Sequence, residues 1–265
     1  MTKPAKTQFR TKCIYCGVNV YSQEHIYGQR FRPHLLETED TWTHRAVRYG
    51  QDNEIIVVRD KVCNGSIYGR SINGPCEKCN NTWMQIINDQ AADRLLELKD
   101  GVWPNLSGLD REALARWATL FGMTYVHGDA LRECVTAEER HQFYQRKLPP
   151  HGWSVWVGRL DADARWVTGS GHLKAMTLRP DLGPTSPDTM TLTFSFGRLL
   201  FMVFKTLPIY ALNPKIAREI LGLIRIWPTP LELTHPPYPH ITDSGAERVA
   251  FCLAEVNDMP LIIYA

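Results

Sequence analysis

Seven residues carry the chemistry this sequence can offer, and they fall in three short stretches. These are Cys13-Ile14-Tyr15-Cys16, Glu24-His25 and Cys76-Glu77-Lys78-Cys79-Asn80. In a Cys-x-x-Cys turn both sulfurs can reach one ion. Two such turns supply four thiolates for a closed tetrahedral zinc site with bonds of about 2.3 Å. Gly17 after the first pair and Asn80-Asn81 after the second provide the permissive backbone that such knuckles need. A histidine beside a carboxylate, with an asparagine held at the second knuckle, can build a second and open site for a hard cation such as Mg²⁺ or Mn²⁺.

The competing reading of the four cysteines is a pair of disulfides in a secreted domain. The opening Met1-Thr2-Lys3-Pro4-Ala5-Lys6 is polar and basic and has no apolar core, so no signal peptide is expected. Cys63, Cys134 and Cys252 have no partner at ligand spacing and read as free thiols in a reducing cytoplasm. Cys63 lies between the two pairs, but its isolation argues against a ligand role.

Composition places the chain among ordinary globular proteins: 265 residues, 44% hydrophobic and 22% charged. No apolar run approaches the roughly 18 to 20 residues of a membrane span. The longest, Leu199–Phe204, reads as a buried strand. A net charge of +2 does not by itself advertise a polyanion partner. The cations are unevenly spread, however. Lys3, Lys6, Arg10, Lys12, Arg30 and Arg32 face the single acid Glu24 within residues 1–36, and Arg45, Arg48, Arg59, Lys61 and Arg70 follow. A basic field around a metal site favours a phosphodiester substrate. Arg30, Arg32, Arg45, Arg48 and Arg70 are the candidate nucleic-acid contacts.

The elements that must position these groups can be read in part. Residues 1–9 read as a flexible tail, 10–100 as the metal-binding module and 101–265 as a second domain, divided at Gly101-Val102-Trp103-Pro104. Asn53–Arg59 reads as a strand and Cys63–Gly74 as a loop. The spacing of Trp83, Ile86, Ile87, Ala91, Leu95 and Leu98 predicts a helix over Asn81–Leu98 with Asn80 at its N-cap. Further helices are predicted over Asp110–His127, over Thr136–Lys147 with a Thr136/Glu139 capping box, and over Pro214–Ile226. Strands are predicted over Trp153–Leu160, Ser170–Arg179, Thr189–Gly197 and Arg198–Lys205, with a last pair near Val249–Ala254 and Pro260–Tyr264. Trp153, Trp156 and Trp166 read as core rather than as a base-stacking platform. The fold class expected is α+β.

Cys13-x-x-Cys16, Glu24-His25-Ile26 and Cys76-x-x-Cys79-Asn80-x-x-Trp83, in this order, resemble the zinc-stapled members of the HNH (His-Me finger, ββα-metal) endonuclease superfamily. The resemblance spans residues 13 to about 84. It implies a two-stranded ribbon followed by a helix, with a zinc-stapled N-terminal module ahead of a mixed helical and β-rich domain. It also implies roles. His25 matches the general base, Glu24 the acidic metal ligand before it, and Asn80 the ligand at the start of the final helix. Imidazole suits the base role because its ordinary pKa lies near 6.5. Cys13, Cys16, Cys76 and Cys79 would hold a structural zinc, and Glu24 and Asn80 a catalytic Mg²⁺ or Mn²⁺.

This sequence departs from the family pattern in three places. Asp is commoner than Glu at position 24. The bracing asparagine has two candidates, Asn64 and Asn73. Trp83 and Met84 stand where the final helix often carries a basic residue or histidine. Trp83 reads as a core aromatic under the knuckle.

The activity implied is hydrolysis of DNA to 5′-phosphate and 3′-hydroxyl ends, in a setting such as phage defence or a mobile element. RNA cleavage and a non-catalytic zinc module that binds nucleic acid or protein are the alternatives. Residues 101–265 carry no catalytic motif; substrate recognition, homodimerisation and sensing are the roles open to them.

Overall fold

The computed structural model describes residues 12–18, 23–35, 41–49, 55–128, 132–165, 168–173, 189–206, 210–219, 221–228, 240–250 and 262–264. The tail 1–9, Trp166, Cys252 and the proline-rich stretch 229–239 lie outside them. The class is α+β, with antiparallel sheets and helices mixed along the chain.

The organising layer is a seven-stranded sheet. Its strands are β2 (Thr41–Tyr49), β3 (Ile55–Asn64), β5 (Trp153–Arg159), β6 (Thr168–Leu173), β7 (Thr189–Phe196), β8 (Leu199–Lys205) and β10 (Ile224–Trp227). The order is β10-β5-β8-β7-β6-β2-β3. Every neighbouring pair is antiparallel except β2 with β6, which is parallel. Strands β7 and β8 are buried throughout, because the sheet is covered on both faces at its centre. The pleat divides their side chains. Leu192, Phe194, Phe196, Phe201 and Val203 join one apolar cluster with Trp117 and Phe121 of the helix α3 (Gly108–His127). Leu200, Met202 and Phe204 join a second, with Ala246 and Val249 of α6 (Asp243–Ala250). Phe121 and Phe194 stack at 3.8 Å between ring centroids. Trp153 and Trp156 are buried, as expected of core residues.

Two strands, β1 (Glu24–His25) and β4 (Ser71–Ile72), form a separate antiparallel ribbon, and β9 (Tyr210–Leu212) pairs with β11 (Ile262–Tyr264). From Glu77 the chain runs as one helical rod: α1 (Glu77–Cys79), a π-turn over Asn80–Met84, and α2 (Gln85–Leu98). α4 spans Ala137–Arg146 and α5 spans Pro214–Glu219.

Local sequence rules hold where capping decides the boundary. Ser107 caps α3 in a box with Asp110, and Thr136 caps α4 in a box with Glu139. Elsewhere tertiary pairing overrides them. The predicted strand at 53–59 runs from Ile55 to Asn64, and the stretch read as the loop 63–74 contributes that strand's end and β4. The helix expected over 214–226 stops at Glu219, and Ile224–Trp227 instead pairs with β5. Val249 and Ala250, expected in a strand, end α6; residues 251–254 lie outside the described set. The last strand pairs with β9.

One buried charge joins α4 to the sheet. Lys205 is 1% exposed, and its ammonium donates to Glu139 Oε2 at 2.9 Å and to the carbonyl of Cys134. Glu139 also accepts the indole N–H of Trp153 at 2.9 Å while serving the Thr136 cap. Glu139→Ala therefore strips a cap, an indole partner and the counter-charge of a buried ammonium. It should cost about 3–5 kcal/mol in urea unfolding. Lys205→Met, which removes the charge itself, should cost clearly less. Equal losses for the two variants would refute this account of the pair.

Candidate functional site

The two knuckles meet. The ligand atoms of Cys13, Cys16, Cys76 and Cys79 all lie within 4.8 Å of one another. Cys13 Sγ is 3.9 Å from Cys79 Sγ, and Cys16 Sγ is 3.5 Å from Cys76 Sγ. A tetrahedron with metal–sulfur bonds of about 2.3 Å has edges of roughly 3.8 Å, so these separations suit zinc without rearrangement.

The backbone explains how the sulfurs converge. Gly17 sits at φ +77°, in the left-handed region, and its N–H donates to the Cys13 carbonyl at 3.0 Å. That closes the first knuckle. The second is a helix start. Cys76 is extended, at φ −84° and ψ 159°, and its sulfur accepts the N–H of Cys79 at 3.4 Å. The N-cap is thus Cys76, not Asn80. Asn80 is already helical, and its N–H donates to the Cys76 carbonyl at 2.9 Å. One further bond crosses between the knuckles, from Cys76 N–H to Cys13 Sγ at 3.3 Å.

Burial raises the Cys16 thiol, and it raises the Cys79 thiol well above the ordinary range. Burial opposes ionisation of Cys13 too, but N–H groups of Cys16, Tyr15 and Cys76 outweigh it and hold that thiol low. A divalent cation at the centre would offset the burial of all four. The donor set therefore fits zinc.

Around the sulfurs lies an aromatic shell. Trp83 packs edge-on to Tyr15 at 5.1 Å, to Phe143 at 5.9 Å and to Tyr144 at 5.8 Å. Its indole N–H is buried and makes no hydrogen bond within normal limits, yet it lies close enough to the Cys79 sulfur to favour the thiolate. Tyr15 bonds Thr124 of α3 through their hydroxyls at 2.9 Å. The knuckles are thereby tied to helices that follow residue 101. Trp83 is the core aromatic that its position predicted.

Glu24 and His25 are placed less simply. They pair with Ile72 and Ser71 across the ribbon. Successive strand residues face opposite sides. Glu24 and Ile26 line a small cavity with Met84 and Asn88 of the helical rod and Trp117, Leu120, Phe121 and Thr124 of α3. Glu24 is 7% exposed there, and burial pushes its carboxyl up to about 7. His25 is half-buried on the other face.

Asn88 and Thr124 are the polar groups that sequence reading missed at this cavity. Asn88 follows Asn80 by two helical turns, a spacing that could have signalled it. Asn64 and Asn73, the bracing candidates, are both exposed. Cys63 lies on β3 opposite Trp42, outside the sulfur cluster.

The arginines divide. Arg30 pairs with Asp89 on the helical rod, and Arg32 is exposed beside Gly69. The Arg70 guanidinium lies 4.5 Å from the Tyr125 ring and donates to the Gly128 carbonyl at 3.3 Å, which ties it to the end of α3. Arg45 and Arg48 lie on β2, opposite Asp60 and Ile56 of β3.

No family model, curated protein or solved structure matches the chain. Among the described residues, no helix is long and apolar enough to cross a membrane.

Two measurements test these placements. Purified protein should carry about one equivalent of zinc by elemental analysis, and Cys76→Ser should lose it together with the fold around the knuckles. Much less than one equivalent in the wild type would rule out the four-sulfur site. The second test concerns Glu24. Its folded carboxyl keeps a proton up to about pH 7, whereas an ordinary carboxyl releases it near 4.5. The cost of burying it is therefore absent below pH 4, grows as pH rises to 7 and is constant above that. Glu24→Gln should stabilise the zinc-loaded protein by roughly 3 kcal/mol at pH 8 and by nothing near pH 4. A pH-independent difference in unfolding free energy would contradict the buried placement.

Proposed function

We propose that the chain is a metal-dependent endonuclease of the HNH type that hydrolyses DNA phosphodiester bonds. The observation that carries this reading is the pairing of Glu24-His25 with Ser71-Ile72 just ahead of the knuckle and the helical rod that begins there. Ribbon, sulfur cluster and helix thus follow one another in the order that the resemblance implies.

In this reading the zinc does no chemistry. Held by the four sulfurs, it would clamp the residue-13 knuckle to the start of the rod, so that the ribbon and Asn80 keep a fixed relation. His25, half-buried on the ribbon face away from the cavity, accepts the proton of the attacking water. Asn80 and Glu24 would supply the oxygen donors for Mg²⁺ or Mn²⁺, a cation that would stabilise charge developing on the phosphate and on the leaving 3′-oxygen. Glu24 must give up its proton to serve, and its apolar cavity resists that.

That burial favours a second reading, in which the module binds nucleic acid or protein without cutting. Plasmid nicking separates the two. Wild-type protein should nick supercoiled DNA with Mg²⁺ or Mn²⁺. His25→Ala should lower the rate at least 100-fold while leaving zinc content and thermal midpoint unchanged. Asn80→Ala should also lose cation-dependent activity and keep the fold. Wild-type inactivity on DNA and RNA across metals would leave the non-catalytic reading standing.

A further inference from the structure

The hairpin β2–β3, which interrupts the chain between the two strands of the ribbon, sorts its charges by face. Directly opposite residues share a face of a sheet, as do alternate residues along a strand. The register pairs Trp42 with Cys63, His44 with Lys61, Ala46 with Arg59, and Arg48 with both Ile56 and, across β6, His172. Arg48, Arg59 and Lys61 therefore fall on one face, with His44, His172 and Trp42 among them. Asp60, the one acid of the two strands, falls on the other face, opposite Arg45. A register shift between Ala46 and Val47 keeps this sorting, because it admits one extra residue on β3 and returns Arg48 to the face of His44.

That face continues the side of the sheet on which the ribbon packs. β6 pairs His172 with Met190 and Ser170 with Leu192, and Leu192 lies beneath Gly122 of α3. Phe31, just after the ribbon, packs edge-on to Phe196 of the same face at 5.2 Å. α3 itself covers the β10, β5 and β8 side of the sheet, and the hairpin forms the opposite edge. There Lys61 is exposed and Arg59 half-buried.

We propose that this face of β2–β3 is a nucleic-acid platform that holds the phosphate backbone alongside the ribbon. Among the described residues of β2, β3 and β6, this face carries three permanent cations and no acid, on strands that also hold an aromatic residue, and that fits a polyphosphate by charge. Asp60 falls on the other face, opposite Arg45. The choice of ligand rests on the nuclease reading. The platform itself can be tested without turnover.

The test is fluorescence anisotropy of a labelled 20-base-pair DNA duplex with zinc-loaded protein and no added divalent cation, titrated with salt. A 20-nucleotide RNA strand runs in parallel. The triple variant Arg48→Ala/Arg59→Ala/Lys61→Ala should bind at least tenfold more weakly. Its slope of log affinity against log salt should be shallower by about 2–3, the value for three phosphate contacts. Lys61→Glu, at an exposed position, should weaken binding several-fold with an unchanged thermal midpoint, so the result does not depend on the triple variant folding. Arg45, a contact candidate by sequence, leaves that set because the register puts it on the other face opposite Asp60, so Arg45→Ala should stay within twofold. The swap Arg48→Lys/Arg59→Lys/Lys61→Arg should retain the salt slope. A wild type that binds neither probe, a Lys61→Glu variant that binds like wild type, or an equal loss in Arg45→Ala overturns the platform. Binding without nicking leaves the platform standing and overturns the nuclease reading. Nicking with unchanged binding in the variants does the reverse.

Discussion

The four-sulfur cluster is the constraint on which the rest of the candidate site depends. It joins residues 13 and 16 to residues 76 and 79, across a stretch that contains the whole β2–β3 excursion. The ribbon it supports is only two residues long on each strand, and a ladder that short cannot hold its own register. Closing a chain of the length between His25 and Ser71 costs roughly 3 kcal/mol of entropy. A pair of backbone hydrogen bonds, each worth about 1 kcal/mol net, does not offset that. Metal–sulfur bonds can, because the binding free energy of a structural zinc is available to folding.

The knuckle is also built to be bonded elsewhere. Tyr15 reaches Thr124 on α3, and Trp83 meets Phe143 and Tyr144 on α4. Through β2 and β3 the same segment supplies an edge to the sheet whose other strands come from residues 153–227. The chain-breaking stretch Gly101-Val102-Trp103-Pro104 marks a boundary in the sequence. In the fold, the helices and sheet beyond that point form the wall against which the knuckle and Glu24 are buried. Trp117 and Phe121 of α3 line the Glu24 cavity on one side and stack on the sheet on the other, so the cavity and the sheet core share side chains.

What was legible in the sequence were features set by local chemistry. The Cys-x-x-Cys knuckles, the Thr136 cap and the apolar run Leu199–Phe204 each need only a few neighbouring residues to declare themselves. What escaped were features decided by distant partners. β2 has no clean alternation of apolar and polar residues, since it is a near-edge strand defined by pairing with β3 and β6. Ile224–Trp227 continues a helical pattern in sequence, but β5 offers it an open edge. Asn80 looked like an N-cap because asparagine favours that position, yet the sulfur of Cys76 takes the role one turn earlier. The Glu24-His25 dipeptide was visible as a pair, but its division between two faces follows from the strand pleat.

That division sets the terms for any catalysis here. A carboxyl surrounded by Ile26, Met84, Trp117, Leu120 and Phe121 is costly to ionise, and its neighbours Asn88 and Thr124 are neutral. An open-site carboxylate is charged before its cation arrives. Below pH 7 charging and cation binding would have to occur together, so the affinity for the cation would carry the cost of ionising Glu24, rise with pH up to about 7 and level off above it. The same cost is imposed by α3, which supplies Trp117, Leu120, Phe121 and Thr124 to that cavity. The residues beyond 101 thereby act on the site physically: by walling Glu24 they determine when it can carry a charge.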